Sequence, residues 1–199
     1  MPAAAKRANN RMDTVLDAAA ELFATKGFRE TSTRDIAALA RIQPGSLYYH
    51  FPNKDAVLLE VYREGVARLT DRVLAEARPF SDPWTRLEAA LRAHLETLLE
   101  QTHYARVLLR VIPDSAPEIA SQLVALRDMY ENQLRNFFSD LPLPAHVDPS
   151  LMRLLILGAA NHAQVWHKPD GRKPADIAAQ LVQMVRATAE APVPMEKLQ

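Results

Sequence analysis

Apolar residues recur along almost the whole chain at the spacing of one face of an α-helix. One face of the first segment carries Val15, Leu16, Ala19, Leu22 and Phe23. Gly27 comes shortly after this segment, at a position typical of the end of a helix. Because the same spacing returns in nearly every later segment, the pattern predicts an all-α protein with about nine helices.

Two very short helices are predicted after the first one. Ser32 can cap the next helix, and Asp35, three residues later, completes a capping-box pattern. The inward face of this helix is expected to carry Ile36, Leu39 and Ala40. After a break at residues 41–43, Pro44 suits the first turn of another helix, which Pro52 ends within two turns.

A short helix, a three-residue turn and a second short helix describe a helix-turn-helix, which lays its second helix in the major groove of DNA. The N-terminal turn of that second helix offers free backbone N–H groups to a phosphate. We expect Leu47 and Phe51 to point to the core, and Tyr48, Tyr49 and His50 to face DNA. Two alternatives stay open: the aromatic residues belong to the core, or the segment is a hydrophilic corner between helices.

Charge is distributed unevenly, although the net charge of the chain is zero. Residues 1–54 carry a net charge of +3, and the remaining 145 residues carry −3. A basic head on an acidic body is expected if the head meets phosphate. The chain has no cysteine, no signal-peptide pattern and no apolar run long enough to span a membrane, which favours a cytoplasmic protein without a membrane partner.

The rest of the chain is predicted to form longer helices. A helix from Asn53 to about Ala77 is followed by one that begins at Asp82-Pro83, and by a short one at 103–112 that Pro113 ends. Ser115 with Glu118 repeats the capping-box pattern. The last two helices are predicted to begin at Asp148-Pro149 and at Pro174.

The stretch TSTRDIAALARIQPGSLYYHFPNKDAVLLEVY, together with the preceding RMDTVLDAAAELFATKGF, resembles the DNA-binding region of the TetR family of bacterial transcriptional regulators. The resemblance implies a helix-turn-helix domain at residues 1–54, with a flexible basic arm at 1–10, and an effector-binding and dimerisation domain at 55–199. It implies that a homodimer binds double-stranded operator DNA as a repressor. The matching DNA-contacting positions are Thr33, Gln43, Gly45, Tyr48, Tyr49, His50 and Lys54.

One position departs from the family pattern. Arg41 stands where the turn normally has glycine. If this residue is left-handed, its side chain costs on the order of 1 kcal/mol. Two alternatives stay open: contact with a phosphate offsets that cost, or the turn differs locally from the family pattern. Arg34, Arg41 and Ser46 complete the set of candidate DNA-contacting residues.

The last two helices have broad apolar faces, which suggest the four-helix bundle through which TetR-like regulators form dimers. The alternative is that these faces pack only within their own chain. The candidate interface residues are Leu155, Gly158, Val165, Ile177, Leu181, Met184 and Val185.

Residues 158–185 resemble the C-terminal region of a TetR subgroup that regulates steroid and fatty-acid breakdown, some members of which respond to CoA thioesters. This resemblance implies a largely apolar effector, with an acyl-CoA as one candidate. Bulky apolar residues would surround it, two arginines would meet an anionic headgroup, and histidines would orient a carbonyl; ordinary core packing is the alternative for each apolar residue. The candidates are Tyr62, Trp84, Leu91, His94, Leu95, Leu98, His103, Tyr104, Arg106, Leu108, Arg110, Met129, Asn161, His162 and Trp166.

A helical enzyme, or a sensor that does not bind DNA, is the alternative from another functional class. His162 and His167 are five residues apart, which is not the spacing of paired metal ligands on a helix. The chain also lacks a glycine-rich phosphate-binding loop. We therefore expect no catalytic residue, no metal and no cofactor.

Overall fold

The computed structural model describes residues 3–111, 114 and 116–190, with side chains from residue 12 onward. These residues form nine α-helices, a short 3₁₀ helix at Pro117–Ile119 and no strand, which confirms the predicted all-α fold. The helices are α1 Ala3–Thr25, α2 Thr33–Leu39, α3 Pro44–His50, α4 Lys54–Ala77, α5 Pro83–Leu99, α6 His103–Arg110, α7 Ala120–Ser139, α8 Pro149–Trp166 and α9 Pro174–Glu190.

Helix ends follow the local chemistry that the sequence predicted. Ser32 Oγ accepts a hydrogen bond from the N–H of Asp35, and Asp35 accepts one from the N–H of Ser32, so the capping box is present. A hydrogen bond from Lys26, followed by the bonds from Ser32, lowers the pKa of Asp35 to about 2. Asp148 caps α8 through the N–H groups of residues 150 and 151. The second predicted capping box lies outside the described residues, because Ser115 is not among them.

Two boundaries differ from the prediction. The α1 backbone begins at Ala3, inside the segment predicted to be a flexible arm, and the alanine-rich start of the chain is consistent with this because alanine has the highest helix propensity. α6 ends at Arg110, while the predicted end at Ile112 and Pro113 lies outside the described residues.

Among the described residues, the first compact unit comprises 3–69, 100–111, 114 and 116–130. In this unit α1 packs against α2 and α6, and α2 packs against α3. The side chains of Ile36, Leu47, Leu58 and Val61 are at most 1% exposed. Because one core includes residues from α1 to α4 together with α6, the short helices α2 and α3 are held by buried contacts rather than by their own stability.

Among the described residues, the second compact unit comprises 70–99 and 131–190. Here α5 packs against both α8 and α9 and supplies the buried residues Leu87, Leu91 and Leu95. The chain passes between the units inside α4, at the end of α5 and inside α7. The domain boundary after residue 54 stays a prediction. None of the described helices is long and apolar enough to cross a membrane.

Candidate functional site

The turn between α2 and α3 is closed by a Schellman motif. The N–H of Arg41 donates to the carbonyl of Ala38 at 3.2 Å, and the N–H of Ile42 donates to the carbonyl of Ala37 at 3.0 Å. Arg41 has φ +55°, so it occupies the left-handed position where glycine is usual. The departure noted in the sequence therefore coincides with a real backbone cost.

α3 is anchored on one side and exposed on the other. Leu47 is 1% exposed and Phe51 is 7% exposed, as the sequence predicted. Tyr48, Tyr49 and His50 are exposed, and for Tyr49 the exposed fraction reaches 86%. The interpretation of these three residues as core residues is therefore wrong.

The exposed face of α3 has internal order. The hydroxyl groups of Thr33 and Tyr48 are hydrogen-bonded at 2.9 Å, which ties the start of α2 to α3. The rings of Tyr49 and His50 meet edge to face, with centroids 5.0 Å apart. Gly45 is exposed, and a Cβ added there would meet nothing within 4 Å, so packing within the chain does not require glycine at this position.

Cations and polar groups flank this surface. Arg34, Arg41, Gln43 and Ser46 are all exposed. Neither arginine forms an ion pair with another described residue. Their guanidinium groups are therefore open to an external anion.

Lys54 differs from these residues because its ammonium group is engaged within the chain. Nζ donates to the carbonyl of Phe28 at 2.7 Å and to the carbonyl of Arg29 at 3.1 Å. It also lies 4.5 Å from the centroid of the Phe28 ring. No local sequence pattern could reveal these contacts, because Phe28 lies in the α1–α2 connection and Lys54 begins α4, 26 residues later.

Leu39 was expected to face the core, but it is 42% exposed. The buried residues of α2 and its C-cap are Ile36, Ala37 and Ala40. At 100° per residue, Leu39 lies about 110° from the centre of that face. It instead borders a surface groove of about 510 Å³ that Asp17, Arg68 and Tyr104 also line.

The candidate effector residues of the second unit include one buried polar group. Trp84, Leu91, Leu95 and Leu98 belong to the core of this unit, and His94 among them is 1% exposed. His94 Nε2 and Asn161 Oδ1 are 3.0 Å apart. Burial lowers the pKa of His94 to about 4, so this imidazole is neutral near pH 7. His162 and Trp166 are exposed on α8.

The candidate effector residues of the first unit mostly bind other parts of that unit. Tyr62 is buried, Met129 is 63% exposed, and Leu108 packs against Gly65. Arg106 donates to Gln101 at 3.1 Å, whereas Arg110 donates to the carbonyl of Ala24 at 3.2 Å. The two arginines thus have separate partners within the chain, although both were predicted to meet one anionic headgroup. His103 lines the same surface groove as Tyr104.

Tyr104 is the centre of a network that sequence reasoning missed. Its hydroxyl donates to Asp17 Oδ1 at 2.9 Å, and the guanidinium group of Arg68 lies 4.1 Å from the centroid of its ring. Burial, followed by the hydrogen bond to Asp17, raises the pKa of the Tyr104 hydroxyl, so it stays a donor. Asp17 and Tyr104 are 87 residues apart, a separation at which no local pattern could reveal the contact.

α8 carries a solvent-exposed apolar surface. Leu151, Leu154, Leu155 and Val165 are between 53% and 68% exposed. Residues at 151, 154, 155 and 165 lie on one side of a helix. Gly158, between them, is also exposed.

α9 contributes less to this surface than predicted. Met184 is 59% exposed and Leu181 is half-buried, but Ile177 and Val185 are 7% and 4% exposed within their own chain. Ile177 and Val185 face α5, because α9 packs against α5 in this unit. Of the four candidate interface residues on α9, only Leu181 and Met184 are thus accessible.

Comparison with known proteins matches the two halves of the chain to one family. A family model described as "Bacterial regulatory proteins, tetR family" matches residues 15–61. A second model, described as "Tetracyclin repressor-like, C-terminal domain", matches residues 81–189, which is more than half of the chain. The chain belongs to the TetR family.

Relatives within the TetR family are named as regulators. The HTH-type transcriptional repressor KstR2 of Mycobacterium tuberculosis is 34% identical over 122 residues, which cover 61% of this chain and 59% of that protein. KstR2 of Rhodococcus jostii is 27% identical over 177 residues, which cover 86% of each protein. These relatives are named as transcriptional repressors, which supports a regulator over the enzyme alternative from the sequence.

One similar solved structure combines a ligand with DNA. It is described as AibR in complex with isovaleryl coenzyme A and operator DNA. It is 27% identical to this chain and covers 87% of it, with 97% of its own chain matched and a TM-score of 0.72. The similarity to this protein thus extends from the sequence to the fold.

Proposed function

We propose that this TetR-family chain is a transcriptional repressor. It binds a palindromic operator as a homodimer through α2 and α3, and a largely apolar effector, for which an acyl-CoA is the leading candidate, releases it from DNA. The observation that carries this proposal is the exposed polar face of α3 on a buried anchor.

The anchor matters because a recognition helix must present its side chains rigidly to the groove. Leu47 and Phe51 fix α3 to the core, while Tyr49 and His50 stay in solvent. The hydroxyl and imidazole groups can bond to phosphates or base edges. Gly45 supports the same conclusion, since the absence of a side chain there lets the α3 backbone approach a DNA strand closely.

Dimer formation is proposed from the exposed apolar surface of α8. Its exposed leucines and Val165 form a stripe that water would otherwise cover, and helix pairs of this kind bury such stripes across a two-fold axis. A single short recognition helix reads only a few base pairs. Two heads on a two-fold axis would read both halves of a palindromic site.

The effector proposal rests on family relationships and on one polar pair, formed by the buried imidazole of His94 and the side-chain amide of Asn161. AibR, at 27% identity, was solved with isovaleryl coenzyme A, and the KstR2 relatives are repressors. In this chain the neutral imidazole of His94 lies among the leucines of α5 and bonds to Asn161 of α8. A polar group in an apolar setting is the arrangement that orients one polar atom of a mostly apolar ligand.

The proposal is tested with the full chain and duplex DNA. A tight-binding duplex is selected from a randomised pool, and its affinity is measured by fluorescence anisotropy for the natural chain, Tyr49→Phe and Arg34→Met. Both variants should bind more weakly, while Lys168→Met, which removes an exposed cation outside the proposed site, should bind like the natural chain. Failure to select any duplex would refute the DNA-binding function.

The effector is tested on the preformed complex. Acyl-CoA esters of different chain length, beginning with isovaleryl-CoA, are titrated into the protein–DNA complex, with free coenzyme A as control. An inducer must bind the DNA-free form more tightly, so it should release DNA and raise the melting temperature of the free protein. Release by a hydrophilic metabolite, with no response to any ester, would refute the apolar effector and leave the DNA-binding function intact.

A further inference from the structure

The connection between α1 and α2 is a folded turn with its own internal contacts. Thr31 is 2% exposed and donates its hydroxyl to the carbonyl of Gly27 at 2.8 Å. The ring of Phe28 packs edge-on against Phe23, with centroids 5.5 Å apart. Because Ser32, the N-cap of α2, follows directly, the position of this turn determines where α2 begins.

Lys54, the first residue of α4, reaches this turn from the other end of the helix-turn-helix. An ammonium group has three N–H donors, and two of them point to the carbonyls of Phe28 and Arg29 at 2.7 and 3.1 Å. The carbonyl of Phe28 also accepts the N–H of Thr31 at 3.3 Å. The Phe28 ring lies against the same ammonium group at 4.5 Å.

This location is unusual for a cation. The N-terminal end of a helix carries partial positive charge, which disfavours a lysine in the first turn. Asn53 caps α4 by accepting the N–H of Ala56 at 2.9 Å, so Lys54 has no capping role. The two carbonyls and the aromatic ring account for the lysine at this place, because they are the groups that bond to its charge.

We infer that Lys54 is a positioning residue of the helix-turn-helix. It fastens the start of α4 to the α1–α2 turn, and so fixes where α2 and α3 lie, instead of neutralising a DNA phosphate. Its effect on DNA affinity rests on the proposed function, whereas its effect on stability does not. The inference opposes the expectation from the sequence that Lys54 contacts DNA.

The test compares Lys54→Met, which keeps an unbranched apolar side chain but loses the ammonium group, with Lys54→Arg, which keeps a charged donor. Melting temperature is measured by circular dichroism. Affinity for a labelled duplex is measured across a range of salt concentrations, far below the melting temperature, where every variant is folded. Arg34→Met serves as the comparator for loss of an exposed cation in the proposed site.

For Lys54→Met we expect a melting temperature lower by about 5 °C and an affinity for DNA roughly 10-fold lower. The slope of log affinity against log salt concentration should stay unchanged. Lys54→Arg should restore most of both values. Arg34→Met should leave the melting temperature unchanged and reduce the slope by about 1.8, as expected when each of the two heads of a dimer loses one phosphate contact. A loss of stability alone would not weaken binding by folded protein, so the affinity change reports on positioning.

Two results would overturn the inference. One is a slope for Lys54→Met that falls by about 1.8, which identifies one phosphate contact in each head of the dimer. The other is an unchanged melting temperature for Lys54→Met, which shows that the two carbonyl contacts of Lys54 do not stabilise the fold. If the natural chain binds no duplex at all, the proposed function fails, and the melting temperatures of Lys54→Met and Lys54→Arg still decide whether Lys54 fastens the turn.

Discussion

Replacing Arg41 by glycine should stabilise the fold and weaken DNA binding at the same time. Arg41 has φ +55° at the end of a Schellman motif, with no ion pair to another described residue. A side chain in this region costs about 1–2 kcal/mol. Glycine removes that cost but loses about 0.4–1 kcal/mol through the greater freedom of the unfolded chain. The expected net gain is therefore about 0.5–1 kcal/mol, or about 2–3 °C in melting temperature for a chain of this size.

Two further variants separate the effect of the Arg41 charge from the effect of backbone strain. Arg41→Ala removes the charge but keeps the left-handed side chain, so it should bind DNA as weakly as Arg41→Gly without the gain in stability. Gly27→Ala makes the opposite change at φ +94°, where an added Cβ meets nothing within 4 Å, and should destabilise the protein through backbone strain alone. Melting curves and urea denaturation measure stability, and anisotropy measures affinity. Equal stability of Arg41→Gly and Arg41→Ala would refute the strain argument.

Three further predictions concern other parts of the chain. Leu155→Glu should convert the dimer to monomer in light scattering, because a charge in an apolar seam costs several kcal/mol, while Met129→Glu, at similar exposure, should remain dimeric. The pKa of His94 is about 4 in the folded chain and 6.5 in the unfolded chain, so between pH 6.5 and 5 only the unfolded chain takes up a proton. The natural chain should therefore lose stability over this range, and His94→Gln should reduce that loss. Tyr104→Phe should weaken the hold of α6 on α1 and speed amide exchange in α1, because the bond to Asp17 is lost. The first prediction is refuted if Leu155→Glu stays dimeric, and the second if His94→Gln has the same pH dependence of stability as the natural chain. The third is refuted if amide exchange in α1 is unchanged in Tyr104→Phe.

The sequence predicted most of the DNA-binding head because its signals are local. Capping by Ser32 and Asp35 depends on residues three apart, and the buried pair Leu47 and Phe51 depends on residues four apart. The glycine position occupied by Arg41 was recognised from the resemblance to the family pattern, in which glycine stands at this turn. Each of these features is decided by one turn of backbone, so a single sequence is enough to find it.

What the sequence could not predict depends on contacts between distant segments. Ile177 and Val185 have the same apolar character as Met184, and only the packing of α9 on α5 decides which of them are buried. Lys54 resembles any exposed lysine until the carbonyls of the α1–α2 turn are located. Helical periodicity identifies an apolar face, but it does not identify the partner that covers it.

The central claim is that the exposed face of α3 binds duplex DNA, and the salt dependence of that binding tests it most directly. The full chain is titrated against a selected duplex at about 50 and 200 mM salt. If the two heads of a dimer together make 6–10 phosphate contacts, the affinity should fall by roughly 10³–10⁵ between these conditions. Arg34→Met, which would remove one contact per head, should lower the slope by about 1.8 in a dimer. Binding that does not respond to salt, or no binding at the lower concentration, would contradict the account.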